Sequence, residues 1–200
     1  MTSSEKPMAG TKAEPLSIAA FRVWLESRPD EEHWELIAGV PTLMAPATKL
    51  HQHIVRNLDL LLNNALAAHR PTQFAYQRVG LNLASVAPHY DPEPDVVVVD
   101  KGNEEERYSD RFYLAAEIVS RSDRKTVESK RDIYKRHPDC RCVLVIQQDR
   151  IDVEVSLLTA AGWTSAHLTA PTDELVLDEF GLRCTLADIY RGTALLPRQA

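Results

Sequence analysis

The sequence predicts a mixed α/β domain: a central mixed β-sheet flanked by helices, with core order αβββαβ. A helix and a hairpin precede this core, and a C-terminal hairpin follows it. Three observations lead there. Residues 96–99, 112–119 and 142–146 are near-continuous apolar runs, the pattern of strands covered on both faces. Residues 48–69 carry Leu50, Ile54, Leu58, Leu61, Leu62, Ala65 and Leu66 mostly at spacings of three and four, one face of a long helix. Nothing helical fits between residues 74 and 119, so strands follow one another there instead of alternating with helices.

Each element has its own signal. Ser17 can cap a short helix carrying Ala20, Phe21, Trp24 and Leu25, which Pro29 stops. Residues 34–37 and 40–44 read as two strands around Ala38-Gly39, closed by Pro46. The long helix follows and ends at Pro71. Residues 74–86 alternate through Phe74, Tyr76, Val79, Leu81 and Leu83 and predict one strand bent near Gly80. After the two buried strands, residues 124–137 have helical composition, with Val127, Arg131 and Tyr134 near one face and Pro138 beyond. The strand 142–146 leads to a hairpin, 151–158 and 163–168, turning at Ala161-Gly162. A last short helix covers 186–190.

The chain has 200 residues, 44% hydrophobic and 26% charged, enough for one domain over 16–200 with a real core. Residues 1–15, with Pro7, Gly10 and Pro15 among Ser and Thr, read as a flexible tail without the apolar stretch of a secretory signal. No apolar run approaches the roughly 20 residues that cross a bilayer, so a helical membrane protein is excluded. Cys140, Cys142 and Cys184 cannot complete a disulfide framework, and reduced thiols in a cytoplasmic protein are expected.

The net charge of −6 argues weakly against a nucleic-acid partner, but the charge is unevenly placed. Residues 91–110 hold eight acids against two bases, and residues 121–136 hold seven bases against three acids. An acidic block followed by a basic one suits a site holding a cation beside a polyanion; two solvated faces would give the same counts.

Two carboxylates sit where ionised groups cost several kcal/mol unless paired or coordinated. Asp95 opens the run of four valines, and Glu117 interrupts the run 112–119. If these strands form an antiparallel pair turning near Glu106, Asp95 lies opposite Glu117 on one face, with Cβ atoms about 5 Å apart. A divalent cation would relieve the repulsion; an arginine beside each carboxylate would do so too. A one-residue slip would send the two side chains to opposite faces. The following helix offers Lys125 and Lys130. Lys130 is one turn before Tyr134 and can reach back over the sheet, where an ammonium would steady an attacking water and a phosphoryl group.

These residues resemble the PD-(D/E)XK nuclease superfamily and, within it, the Uma-two family of bacterial restriction-endonuclease-like proteins. The resemblance spans residues 34–196. It rests on Trp34-Glu35-Leu36-Ile37-Ala38-Gly39, His51-Gln52-His53-Ile54-Val55, Pro94-Asp95-Val96-Val97-Val98-Val99, Glu117-Ile118-Val119-Ser120, Lys130 spaced to Tyr134, and Val143-Leu144-Val145 with Gln148-Asp149. After Glu117 the family usually shows Ser-Pro-Ser-Thr, where this chain has Ser120-Arg121-Ser122-Asp123.

The resemblance implies a restriction-endonuclease-like fold and cleavage of DNA phosphodiesters with one or two magnesium (or manganese) ions. Asp95 and Glu117 would be metal ligands, with the main-chain carbonyl of Ile118 beside them. Lys130 would be the superfamily lysine, carried on the helix. Glu35 and Tyr134 would be auxiliary, and Arg121, Arg124, Lys125 and Arg131 would contact the DNA backbone, a salt-sensitive and sequence-independent mode. Cutting both strands suits a homodimer. The alternative is a nuclease-fold binding or assembly protein that no longer cuts.

Other chemistries find little support. His51 and His53 are two apart on a helix, which suits capping or surface roles better than a shared metal. Cys140 and Cys142 have no partner pair for zinc, and there is neither a glycine-rich phosphate loop nor a strained serine turn.

Overall fold

The computed structural model describes residues 14–103, 105–120 and 124–197, apart from the side chains of Arg124 and Lys125. The chain begins with α1 (Ile18–Leu25), capped by the Ser17 side chain as expected, and the hairpin β1 (Trp34–Ile37) and β2 (Val40–Leu43). Its turn holds Ala38 at φ 51° and Gly39 at φ 80°. A side chain on Gly39 would in addition run into Pro15, with a Cβ contact of 2.2 Å. Helix α2 (Lys49–His69) follows, its N-terminus capped by Thr48.

The strands come next: β3 (Gln73–Tyr76), β4 (Gly80–Leu81), β5 (Val96–Asp100), β6 (Tyr108–Ser109) and β7 (Leu114–Val119). Helix α3 (Arg124–Tyr134) leads to β8 (Cys142–Gln147), then β9 (Val153–Thr159) and β10 (Gly162–Leu168). The chain closes with β11 (Glu174–Leu177), a short 3-10 turn (Asp178–Phe180), β12 (Leu182–Thr185) and α4 (Leu186–Ile189).

Six strands form the central sheet in the order β10-β9-β8-β7-β5-β3. Only β7 and β8 run parallel, joined through α3; the other neighbours are antiparallel. All six residues of β7 are buried, as are the valines of β5, because helices or loops cover both faces. On one face Val96, Val98, Leu114, Ala116 and Ile118 pack with Ile54, Leu58, Leu62 and Leu66 of α2 and with the C-terminal segment around Leu175 and Phe180. On the other, Val97, Val99, Ala115 and Val143 pack with Ile133 and Tyr134 of α3 and with Phe112. Among the described residues no helix is long and apolar enough to cross a membrane.

Two expectations change. Residues 74–86 are not one bent strand. After Tyr76 the chain leaves the sheet, Arg78 takes φ 58°, and β4 pairs in parallel with β6 instead. Gly80 is required there, since a Cβ would lie 2.4 Å from the Tyr108 ring. The hairpin β11–β12 is an element beyond those the sequence predicts; it lays Leu175, Leu177, Leu182 and Cys184 over the α2 side of the core.

Candidate active site

The β5–β7 ladder pairs Val96 with Ala116, Val97 with Ala115 and Val98 with Leu114. Continued one step, this register sets Asp95 opposite Glu117, as the turn centred near Glu106 predicts. Glu117 shares the alternation of Ala115 and so lies under α3. Asp95 Oδ2 accepts a hydrogen bond from the Ile118 amide at 2.7 Å. A main-chain donor from the neighbouring strand thus fixes the orientation of the first carboxylate.

Helix α3 supplies the next two groups. Tyr134, fully buried, donates its hydroxyl to Glu117 Oε1 at 2.7 Å. One turn earlier, Lys130 places Nζ 3.0 Å from the same oxygen and 2.7 Å from Glu35 Oε1. Glu35 is therefore no surface residue: it is 1% exposed and also accepts the Glu93 amide at 2.8 Å.

Glu35 arrives on the β1–β2 hairpin, which is fastened to the segment before β5. Leu36 and Asp91 exchange two backbone hydrogen bonds, and Arg22 of α1 grips the buried Asp91 carboxylate with two donors at 2.8 and 2.9 Å. The same guanidinium lies over the Tyr108 ring, 3.7 Å from its centre.

His51 joins this cluster, against the expectation of a capping or surface role. Its Nε2 faces Asp95 Oδ2 at 3.1 Å, and its Nδ1 is buried with no hydrogen-bond partner among the described residues. The Thr48 cap, which accepts the His51 amide, sets the helical turn from which the ring projects. A signal was present in the sequence: His51 precedes Ile54, Val55 and Leu58 by three, four and seven positions, the spacing of the buried face.

The electrostatics follow from packing four acids around few cations. Burial pushes the Glu117 carboxyl up to about 7; Lys130 opposes that shift, and Asp95 and Glu35 add to it. Burial also lifts Glu93 to about 7, against the pull of Arg78. For Lys130, burial favours the neutral amine, but Glu117 and Glu35 outweigh it and hold the ammonium charged. In His51 burial likewise favours the neutral ring, and Asp95 overcomes it to raise the basicity. Buried carboxylates with raised proton affinity, here Glu117 and Glu93, make this cluster a candidate functional site.

Among the described residues no three His, Cys, Asp or Glu side chains are gathered as a ready-made metal site. The donors present suit a different kind of binding. Magnesium typically keeps several waters and takes one or two carboxylates plus substrate phosphate oxygens. One oxygen each of Asp95 and Glu117 stands outside the contacts described above, so this pair matches that modest requirement.

The Uma2 (Uma-two) family model, described as "Putative restriction endonuclease", matches residues 18–187. The chain belongs to the Uma2 family. The match takes in every member of the cluster, from Glu35 to Tyr134. A crystal structure of a "putative nuclease" from Anabaena variabilis has the same fold, with a TM-score of 0.69 and 16% identity over 88% of this chain and 98% of that one. No curated protein matches the chain. Family and fold together mark the Uma2 chain as nuclease-like.

The basic stretch expected to meet DNA is less uniform than its composition implies. Arg121 and the side chains of Arg124 and Lys125 lie outside the described residues. Lys130 is buried in the cluster, and Arg131 donates to both oxygens of Glu154 at 3.0 and 3.1 Å. Lys135 stands over the Trp163 ring, 5.6 Å from its centre.

Proposed function

We propose that this protein is a metal-dependent endonuclease that hydrolyses DNA phosphodiester bonds, with magnesium or manganese held by Asp95, Glu117 and the Ile118 carbonyl. One observation carries the reading: Lys130 is buried between Glu35 and Glu117, beside a second carboxylate across the β5–β7 ladder. An arrangement used only for stability would be better served by apolar side chains of similar size.

When bound, the ion supplies Lewis-acid stabilisation of the phosphoryl oxygens and a more acidic water. The protein's own groups do the rest. The Lys130 ammonium stands where it can orient the attacking water and offset charge on the phosphate. Glu35 and Glu117 keep that amine protonated and fix its position. Tyr134 and the Ile118 amide hold the two carboxylates in place, the supporting role that surrounding hydrogen bonds play for metal ligands. The three cysteines are free and buried, in keeping with a cytoplasmic protein.

Cleavage of supercoiled plasmid with magnesium or manganese tests this. Nicked and linear DNA should appear with wild type and vanish with Asp95→Ala, Glu117→Ala and Lys130→Ala. Activity that survives all three substitutions would refute the assignment. The second reading, a nuclease-fold binding or assembly module, draws on the net charge of −6 and the altered loop after Glu117. It predicts DNA or protein binding without metal-dependent cleavage.

A further inference from the structure

A cavity of about 260 Å³ opens on the same face of the sheet as Glu117, beside α3. Its position follows from strand register. Glu117 pairs with Val145, Val145 with Glu154, and Glu154 with His167. Residues opposite each other share a face, so one row runs from the carboxylate cluster across to β10. Adjacent strands are about 4.8 Å apart, which puts Glu154 only about 10 Å from Glu117 along the row.

The floor of the cavity is apolar. Val119, Val127 and Val145 are each less than a tenth exposed and form a patch of their own. The rim is polar, with Gln147, Asp152 and Glu154. The arginines of the rim are already matched, Arg131 with Glu154 and Arg150 with Asp152 at 2.8 Å, and His167 Nδ1 lies 3.0 Å from the same Asp152 carboxylate. A phosphate would have to displace a carboxylate from its arginine. A planar heterocycle would not, because its face can rest on the valines while its amino group donates to Glu154 or Gln147. The volume lies below the roughly 300–1,000 Å³ of pockets for drug-sized ligands and suits a single ring system.

We propose that this cavity is a nucleobase subsite, taking one unstacked base of the DNA strand whose phosphate lies at Asp95 and Glu117. This rests on the nuclease reading and deepens it, since the substrate must then be single-stranded or locally opened beside the cut. Extruding a base from a duplex requires a few kcal/mol, so unpaired DNA is the favoured substrate.

The test compares two short strands of about eight nucleotides, within the usual span of a single-strand site. One is oligo-deoxycytidine, and the other has the same phosphates but abasic sugars. Each is titrated against the full-length protein by fluorescence anisotropy with calcium replacing magnesium. The cytidine strand should bind at least about fivefold more tightly, the low end of what one good base contact contributes. Gln147→Ala should shrink that ratio while leaving the abasic strand's affinity unchanged, with folding checked by thermal melting; Glu154→Gln, which also releases Arg131 toward phosphate, should shrink the ratio while tightening both strands. Equal affinity for the two strands, or a ratio unmoved in the variants, overturns the subsite and leaves the nuclease reading standing. No binding of either strand also overturns the subsite, and the plasmid-cleavage assay decides the nuclease reading separately.

Discussion

Lys130 Nζ lies closer to Glu35, at 2.7 Å, than to Glu117, at 3.0 Å, so the lysine on α3 is tied to the N-terminal hairpin as firmly as to the sheet beneath it. This makes Glu35 a positioning residue for the ammonium. Glu35→Gln keeps the shape and an acceptor oxygen but removes one of two charges. Cleavage should fall about 10- to 100-fold, the range typical of partners that orient a site's working groups. Glu35→Asp should restore part of it. Plasmid cleavage rates at saturating magnesium measure the effect; an unchanged rate in Glu35→Gln would remove Glu35 from the site.

Tyr134 is the only hydroxyl described on Glu117, and it favours that carboxylate's ionised form. Tyr134→Phe removes one of the two donors on a buried oxygen that Lys130 still serves. Unfolding by urea should show a loss of about 1 kcal/mol, the net contribution of one hydrogen bond. Magnesium affinity should weaken in parallel, because Glu117 then holds its proton more tightly. A variant as stable and as metal-avid as wild type would contradict the described contact.

Glu93 gives the pH dependence a definite sign. Its carboxyl is raised from 4.5 to about 7, mainly by burial, so the folded state binds the proton more tightly than the unfolded chain. The associated stability is full below pH 4.5 and is lost as pH rises through about 7. Burial shifts Glu117 in the same direction. In chelator, the protein should therefore melt at lower temperature at pH 8 than at pH 5. Glu93→Gln should recover up to about 3 kcal/mol at pH 8 and little at pH 5. A melting temperature that rises from pH 5 to pH 8, with Glu93→Gln making no difference, would contradict this.

Much of this was readable from the chain because a few patterns are strict. Three apolar runs with almost no polar interruption define the middle of the sheet, and that made Asp95 and Glu117 conspicuous. Lys130 and Tyr134 could be placed together because helical spacing is fixed. The losses have equally local causes. His51 lies on the buried face of α2, but beside His53 it reads as a capping or surface residue, because its partner Asp95 is distant in the chain. The break between β3 and β4 depends on Tyr108 closing over Gly80, a tertiary contact with no short-range signature. Strands β11 and β12 are four residues each, and their alternation of Leu175, Leu177, Leu182 and Cys184 is too brief to stand out. Glu93, between Pro92 and Pro94, gave no sign of its raised proton affinity because the burial responsible comes from distant parts of the chain.

Calorimetric titration of magnesium into the metal-free protein tests the central claim most directly, since it asks whether Asp95 and Glu117 grip an ion without requiring turnover. The account predicts saturable binding by the wild type and affinity at least about tenfold weaker in both Asp95→Asn and Glu117→Gln, with the folded state intact. Equal affinity in all three proteins would contradict it.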